Sequence, residues 1–240
     1  MSLLGQAAMV FWHDIADGDD DYKDWHSNEH MNERVGVPGF LRGRRGRSLR
    51  GEPRYFIMYE VDSVEVLTSR AYLDRLNDPS PWTEQVLSRY RNSNRTLCRL
   101  EDTRGLGTGR FLLTCRMAPA EGSSDGLRHW LQNTFLEECV SVGSIVGAHF
   151  LTADEVASQT QTEEKKLRSQ PDDIANWVII VEGYDEDAMQ SIVTTALTAK
   201  HLEELGALPG SQTNFYELEH IASDADVQNA RMGRINGPKR

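Results

Sequence analysis

One order of elements occurs twice in this chain, and that repetition constrains the fold more than any other feature. Hydrophobic periodicity predicts strands at residues 7–15, 41–49, 55–61 and 96–101. Between them it predicts a helix opening at the acidic run 17–21 and ending before Pro38, then helices over 64–76 and 80–90. The same β-α-β-β-α-β order returns with strands at 111–117, 143–151, 177–183 and 214–221 and helices at 127–140 and 188–205. An offset of 104 residues brings Gly39 onto Gly143, Gly43 onto Gly147 and Glu33 onto Glu137. An offset of 122 brings residues 55–61 onto 177–183, with Glu60 falling on Glu182. The 18-residue difference places an insertion within 152–176, a polar stretch expected as a mobile flap or an exposed helix.

The β-α-β-β-α-β order is the ferredoxin-like unit. The first strand is apolar on both faces, with Met9, Phe11 and Ile15 on one side and Val10 and Trp12 on the other, so both faces must be covered. The link Gly105-Leu-Gly-Thr-Gly109 precedes a strand and does not open a helix, so it reads as a hinge and not a phosphate loop. The polar segment 223–240 reads as a flexible tail.

The net charge is −11, and residues 111–240, with 10 basic and 20 acidic side chains, hold almost all of the excess. Such a balance argues against nucleic acid as a partner, because phosphate neutralisation needs a basic footprint. Residues 7–12 are too short an apolar run to span a bilayer, and no cleavage-like site follows, so no membrane partner is expected. Cys98, Cys115 and Cys139 are scattered without metal-type spacing and suit free thiols in a reducing, cytoplasmic setting.

Ionisable chemistry concentrates in Trp25-His26-Ser27-Asn28-Glu29-His30, ahead of Val37-Pro38-Gly39-Phe40. On an α-helix His26 and His30 lie one turn apart with Glu29 beside them, an arrangement suited to a general base with orienting partners. The alternative is that one imidazole packs while Glu29 pairs with Arg34 on the surface. His13 either meets a ligand or is a satisfied core group. Tyr22, Trp25 and Tyr59 either line an aromatic-friendly pocket or belong to the core. His26-x-x-Glu29-His30 has the inverted zinc-protease spacing, but the repeat and the Pro-Gly-Phe turn point elsewhere, and no metal is assigned. In strand 41–49, expected near a sheet edge, alternation sends Arg42 and Arg44 to one face and Arg45 and Arg47 to the other. Most of these guard an edge by charge, while Arg42 or Arg44 is the candidate clamp for a substrate carboxylate.

Trp25, His26, Glu29-His30 and the closing Val37-Pro38-Gly39-Phe40 resemble the first helix and turn of the dimeric α+β-barrel superfamily, in particular its EthD-like members. The resemblance covers residues 7–101 and, more weakly, 110–221. It implies an α+β protein in which two ferredoxin-like repeats, 1–104 and 105–222, pair their antiparallel sheets into one intramolecular barrel. It also implies a pocket inside each unit, between sheet and helices. Under the 104 offset His26 becomes Trp130, Glu29 becomes Asn133 and His30 becomes Thr134, so one working pocket and one supporting copy are expected. Relatives include cofactor-free monooxygenases, isomerases, polyketide cyclases and haem enzymes. The expectation is a cofactor-independent lyase, isomerase or cyclase acting on a small carbonyl-containing or aromatic acid, as a monomer or homodimer. A non-catalytic metabolite-binding or accessory protein of an oxygenase pathway is the alternative.

Overall fold

The structure, a computed structural model, describes residues 3–168 and 170–233. Eight antiparallel strands close into a barrel: β1 (Ala7–Ile15), β2 (Phe40–Ser48), β3 (Tyr55–Val61), β4 (Tyr90–Gly105), β5 (Phe111–Met117), β6 (Ile145–Ala153), β7 (Trp177–Gly183) and β8 (Gln212–Ser223). Around the barrel they run β1-β3-β2-β8-β5-β7-β6-β4. Each half contributes four neighbouring strands, and the halves join at two seams, β2 with β8 and β4 with β6. The expected α+β barrel of two ferredoxin-like repeats is therefore what the chain forms.

Closure corrects one expectation. The arginine-rich strand has no free edge, because β2 is bonded to β3 on one side and β8 on the other. Its alternation holds: Arg42 and Arg44 lie opposite Glu60 and Met58 facing the barrel axis, and Arg45 lies opposite Ile57 on the helix side. The first strand divides as its pattern requires. Met9, Phe11 and Ile15 belong to a core beneath the first half's helices, and Val10 and Trp12 to the core inside the barrel. A third core lies under the second half's helices.

A long helix, α1, crosses the outside of the first half as three continuous segments: α-helical Asp19–Trp25, a π-helical turn His26–His30 and α-helical Met31–Val35. Asp19, Asp20 and Asp21 fill its first turn, favourable at the positive end of the helix dipole. The turn that follows puts Gly39 at φ +90, which suits glycine. Gly43 on β2 lets the helix approach the sheet, since a Cβ there would sit 2.8 Å from both Met31 Cγ and the Tyr59 ring. The second half carries the same helix, α2, as Ser124–Trp130, a π turn Leu131–Phe135 and Leu136–Ser141.

These paired π turns correct the alignment of the halves. His26–His30 corresponds to Leu131–Phe135, and β2 starting at Phe40 to β6 starting at Ile145, so the offset here is 105. The glycine matches at 104 were one residue out of register. Arg42 and Gly147 are the residues that face Glu60 and Glu182.

Three further segments differ from expectation. The helix over 64–76 divides at Ser69 into a 3-10 turn, Val64–Thr68, and α-helix Arg70–Leu76, whose N-cap is Ser69. The insertion is no exposed flap: it forms helices Glu155–Ser158 and Glu163–Leu167 that bury Ser158, Glu164 and Arg168 against the first half. The expected tail starts as helix Asp224–Arg231 with a capping box at Ser223, and residues 234–240 lie outside the described range. The Gly105–Gly109 link is packed at its two ends, where a Cβ on Gly109 would meet the Gly183 nitrogen at 2.4 Å and one on Gly105 the Val146 carbonyl oxygen at 2.3 Å, while Leu106 and Gly107 between them are exposed.

Candidate functional site

Between α1 and the outer face of the first half's sheet lies a cavity of about 20 Å³, room for little more than one water. His26 and His30 enter it from the π turn, Tyr59 from β3 and Tyr90 from β4. Met9, Phe11 and Ile57 form an apolar floor on the sheet. Arg34, Arg95, Arg168 and Glu164 complete the wall, so the insertion of the second half supplies two charged groups to a cavity of the first.

The π turn closes hydrogen bonds over five residues, as in Met31 N–H to His26 O. It keeps the two imidazoles adjacent, with ring centroids 5.6 Å apart. Glu29 goes elsewhere: its Oε1 accepts from the hydroxyls of Ser80 and Thr83, at the start of helix Pro81–Leu87. Trp25 Nε1 donates to the same Thr83 hydroxyl at 3.1 Å, and its ring lies 4.3 Å from that of His30. The expected Glu29–histidine pairing is thus replaced by a tie between α1 and the neighbouring helix.

Tyr59 Oη lies 3.4 Å from His26 Nε2, and Tyr22 Oη lies 3.0 Å from His13 Nε2. His13 stacks in parallel on Tyr90 with centroids 4.2 Å apart. The Nδ1 atoms of His13, His26 and His30 are buried with no hydrogen-bond partner among the described residues. Burial pushes all three imidazoles well below their usual value, helped by the charges of Arg168 at His13, Arg45 at His26 and Arg34 at His30. All three are neutral at pH 7. Burial likewise pushes Tyr59 well above its usual value, so its hydroxyl keeps its proton.

The arginines differ in how their charge is matched. Arg34 pairs with Glu164, and Arg168 with Asp172. Arg95 is 8% exposed and donates to Tyr72 Oη at 3.0 Å, but it meets no carboxylate among the described residues. An unmatched buried guanidinium is costly and favours an incoming anion.

Of the residues singled out in the sequence, His26, His30 and Tyr59 line the cavity, and His13, Tyr22 and Trp25 pack around it. Arg42 and Arg44 do not join them. Both point into the barrel, where Arg44 bonds Glu60 and Glu182 at 2.8 Å each and Arg42 grips Glu60 at 2.9 and 2.8 Å. Arg34, Tyr72, Tyr90, Arg95, Glu164 and Arg168 escaped sequence reasoning. A signal existed for Arg95, which shares a strand face with the buried Leu97. None existed for Glu164, in a polar insertion 130 residues after its partner Arg34.

In the second half the corresponding positions are apolar or small: Leu127 for Tyr22, Leu131 for His26, Thr134 for Glu29, Phe135 for His30, Cys139 for Arg34 and Val181 for Tyr59. The Trp130, Asn133 and Thr134 equivalences expected from the sequence are corrected accordingly. Among the described residues no group of three or more His, Cys, Asp or Glu side chains is arranged to hold a metal ion. Nor does a macrocycle the size of haem fit, because the rings of Tyr22, Trp25, Tyr59 and Tyr90 fill the layer between α1 and the sheet. No helix among the described residues is long and apolar enough to cross a membrane.

No protein-family model matches the sequence, and no curated protein sequence does. Solved structures do match. An anthrone oxidase-like protein superposes with a TM-score of 0.61 at 10% identity, over 92% of this chain and 94% of that one. A putative monooxygenase from Lactobacillus acidophilus NCFM gives 0.57 at 11% identity, over 91% and 97%. A putative chlorite dismutase gives 0.53 at 10% identity, over 93% and 98%. At such identities the likeness establishes architecture alone. The chain has the dimeric α+β-barrel fold, with both halves of the barrel supplied by one polypeptide.

Proposed function

We propose that this chain is an enzyme that moves a proton on a small aromatic or carbonyl-containing acid, bound between α1 and the first half's sheet. One observation carries the reading: a neutral imidazole, His26, shares an enclosed cavity with a buried guanidinium, Arg95, that has no carboxylate partner among the described residues. The neutral imidazole is the form that accepts a proton, and a bound carboxylate would offset the cost of the unmatched charge.

In this reading Arg95 takes the substrate carboxylate, the role that Arg42 or Arg44 was expected to fill. Tyr59 accepts from His26 Nε2–H and fixes the tautomer, leaving Nδ1 to take a proton from a carbon beside the carbonyl. The electron pair of that C–H bond moves onto the carbonyl oxygen, where the unpartnered Nη1 of Arg34 stabilises it. Return of the proton to another atom completes an isomerisation or cyclisation, and expulsion of a leaving group completes a lyase reaction. The chemistry uses the protein's own side chains. Within the fold, the sequence from Trp25 to Phe40 favours the EthD-like members as the nearest in function.

Entry of a substrate requires helix Glu163–Leu167 to move, releasing Glu164 from Arg34, because the cavity holds little free space as it stands. That closure favours a second reading, a protein that sequesters an acid without turning it over. Carbon-bound hydrogen exchange in D2O separates the two, followed by proton NMR across a panel of arylacetic and aryl-β-keto acids. The enzyme reading expects exchange in at least one compound, slowed about 100-fold by His26→Gln with binding retained. Exchange that survives His26→Gln refutes the assignment of the base, and binding without exchange across the panel supports sequestration.

A further inference from the structure

The two ends of the barrel treat buried arginine differently. At one end Arg44, fully buried, lies between Glu60 and Glu182, and His149 Nε2 lies 3.1 Å from Glu182. Charge there is matched. At the other end Arg116, half-buried on β5, meets no carboxylate within ion-pair distance among the described residues. Its Nε is buried without a partner, and its one hydrogen bond goes from Nη2 to Asn214 Oδ1 at 3.3 Å. Among the described arginines that are buried, Arg34, Arg44, Arg45 and Arg168 each pair with a carboxylate, and Arg95 faces the cavity described above. Half-buried Arg116 has the Asn214 side-chain oxygen and the Trp12 ring beside it and no carboxylate within ion-pair distance among the described residues.

We propose that this mouth of the barrel is a second binding site, for a small monocarboxylate held by Arg116. Two adjoining clefts of about 240 and 280 Å³ open here and share Asn94, Arg116, Asp173 and Gln212. The guanidinium lies over the Trp12 ring, 4.7 Å from its centroid, which fixes its plane and leaves its edge to a planar, two-oxygen anion. Trp12 is itself held by a hydrogen bond from Nε1 to Thr114 Oγ1 at 3.1 Å. Two more polar atoms wait nearby: Ser93 Oγ in the wall of one cleft, and the hydroxyl of Tyr216, a residue that is fully buried and feels the Arg116 charge. Neither has a partner among the described residues. The carboxylates of Asp14 and Glu52 in the wall of one cleft, and of the exposed Asp173 shared by both, repel a dianion more than a monoanion. A carboxylate is therefore preferred over phosphate. Trp12 and Arg116 occupy the same position in the two halves and meet inside the barrel, so the site draws on both repeats and uses none of the groups assigned to the first cavity.

The test is a titration of the whole chain with sodium acetate, inorganic phosphate and sodium chloride at matched ionic strength, watching the arginine Nε–H signals by proton–nitrogen NMR. The proposal expects a saturable shift of the Arg116 signal with acetate. It expects the acetate response seen through Trp12 emission to weaken at least tenfold in Arg116→Gln, severalfold in the exposed Gln212→Ala, and not at all in Arg95→Met. A shift linear in salt, or saturation by phosphate alone, overturns it. So does an acetate affinity unchanged in Gln212→Ala together with either an unchanged affinity or loss of folding in Arg116→Gln.

Discussion

The two long helices of this protein have one geometry and two chemistries. Both α1 and α2 carry a π turn at the same place, yet His26 and His30 stand in the first where Leu131 and Phe135 stand in the second. Wide turns of this kind often mark functional sites. Here the turn occurs in both halves, so it belongs to the scaffold, and the side chains it presents make the difference. In the second half the helix–sheet layer is an apolar core that includes Leu127, Leu131, Phe135 and Val181. The first half buries three neutral imidazoles and several guanidiniums in the same layer, an arrangement that packing alone does not require.

The largest expected effect lies where the halves meet. Arg44→Met leaves Glu60 to Arg42 but strands Glu182 inside the barrel beside His149, and should cost about 3–5 kcal/mol in denaturant unfolding. Burial alone would raise the Glu182 carboxyl, but Arg44 and the His149 hydrogen bond hold it down to about 2, so both groups matter. A cost below about 1 kcal/mol would mean that the seams hold without this charge network. Next comes conversion of one half into the other. His26→Leu with His30→Phe should abolish turnover while keeping stability within about 2 kcal/mol, because the second half already packs those side chains on that backbone. Collapse of the fold would show that the halves are less interchangeable than their backbones.

Glu164→Gln removes the carboxylate facing Arg34, and faster amide exchange across Glu163–Leu167 should report a loosened cover over the cavity. Unchanged exchange would show that the helix is held by other contacts. The remaining effect is on pH. His13, His26 and His30 have folded values well below the unfolded 6.5. As pH falls below 6.5 the unfolded chain binds protons that the folded chain refuses, so stability declines by up to about 1.4 kcal/mol per pH unit for each histidine. Above 6.5 this contribution is flat. The double variant should retain only the part of the slope due to His13 and to His220, which burial also lowers, measured as the shift of denaturant midpoint between pH 7 and 5.

Much of the architecture was legible because it rests on periodicity. The near-continuous apolar runs of β1 and β3 announced two covered faces, and the repeated element order announced the barrel. Registers were less secure. Matching glycines at 104 misled by one residue because Gly143 corresponds to Pro38 in the turn, while Gly39, which needs its positive φ, corresponds to Ser144. The imidazoles of the site were visible as a cluster on one helix. The charges that complete it were hidden, since Arg95 comes from a strand 65 residues after His30 and Glu164 from an insertion in the other half. Arg42 and Arg44 drew attention by their density, but a closed barrel turned them toward Glu60 and Glu182. Sequence spacing cannot reveal which face of a strand will meet a carboxylate from across the axis.

Arg95 as the anchor for an acid in the first half's cavity is the central claim. Titration of wild type and Arg95→Met with an aromatic carboxylate such as phenylacetate, followed by emission of Trp25 against His30, addresses it directly. A saturable response in wild type, weakened at least tenfold in Arg95→Met and intact in Arg116→Gln, is the predicted result. Equal affinity in wild type and Arg95→Met would contradict the claim.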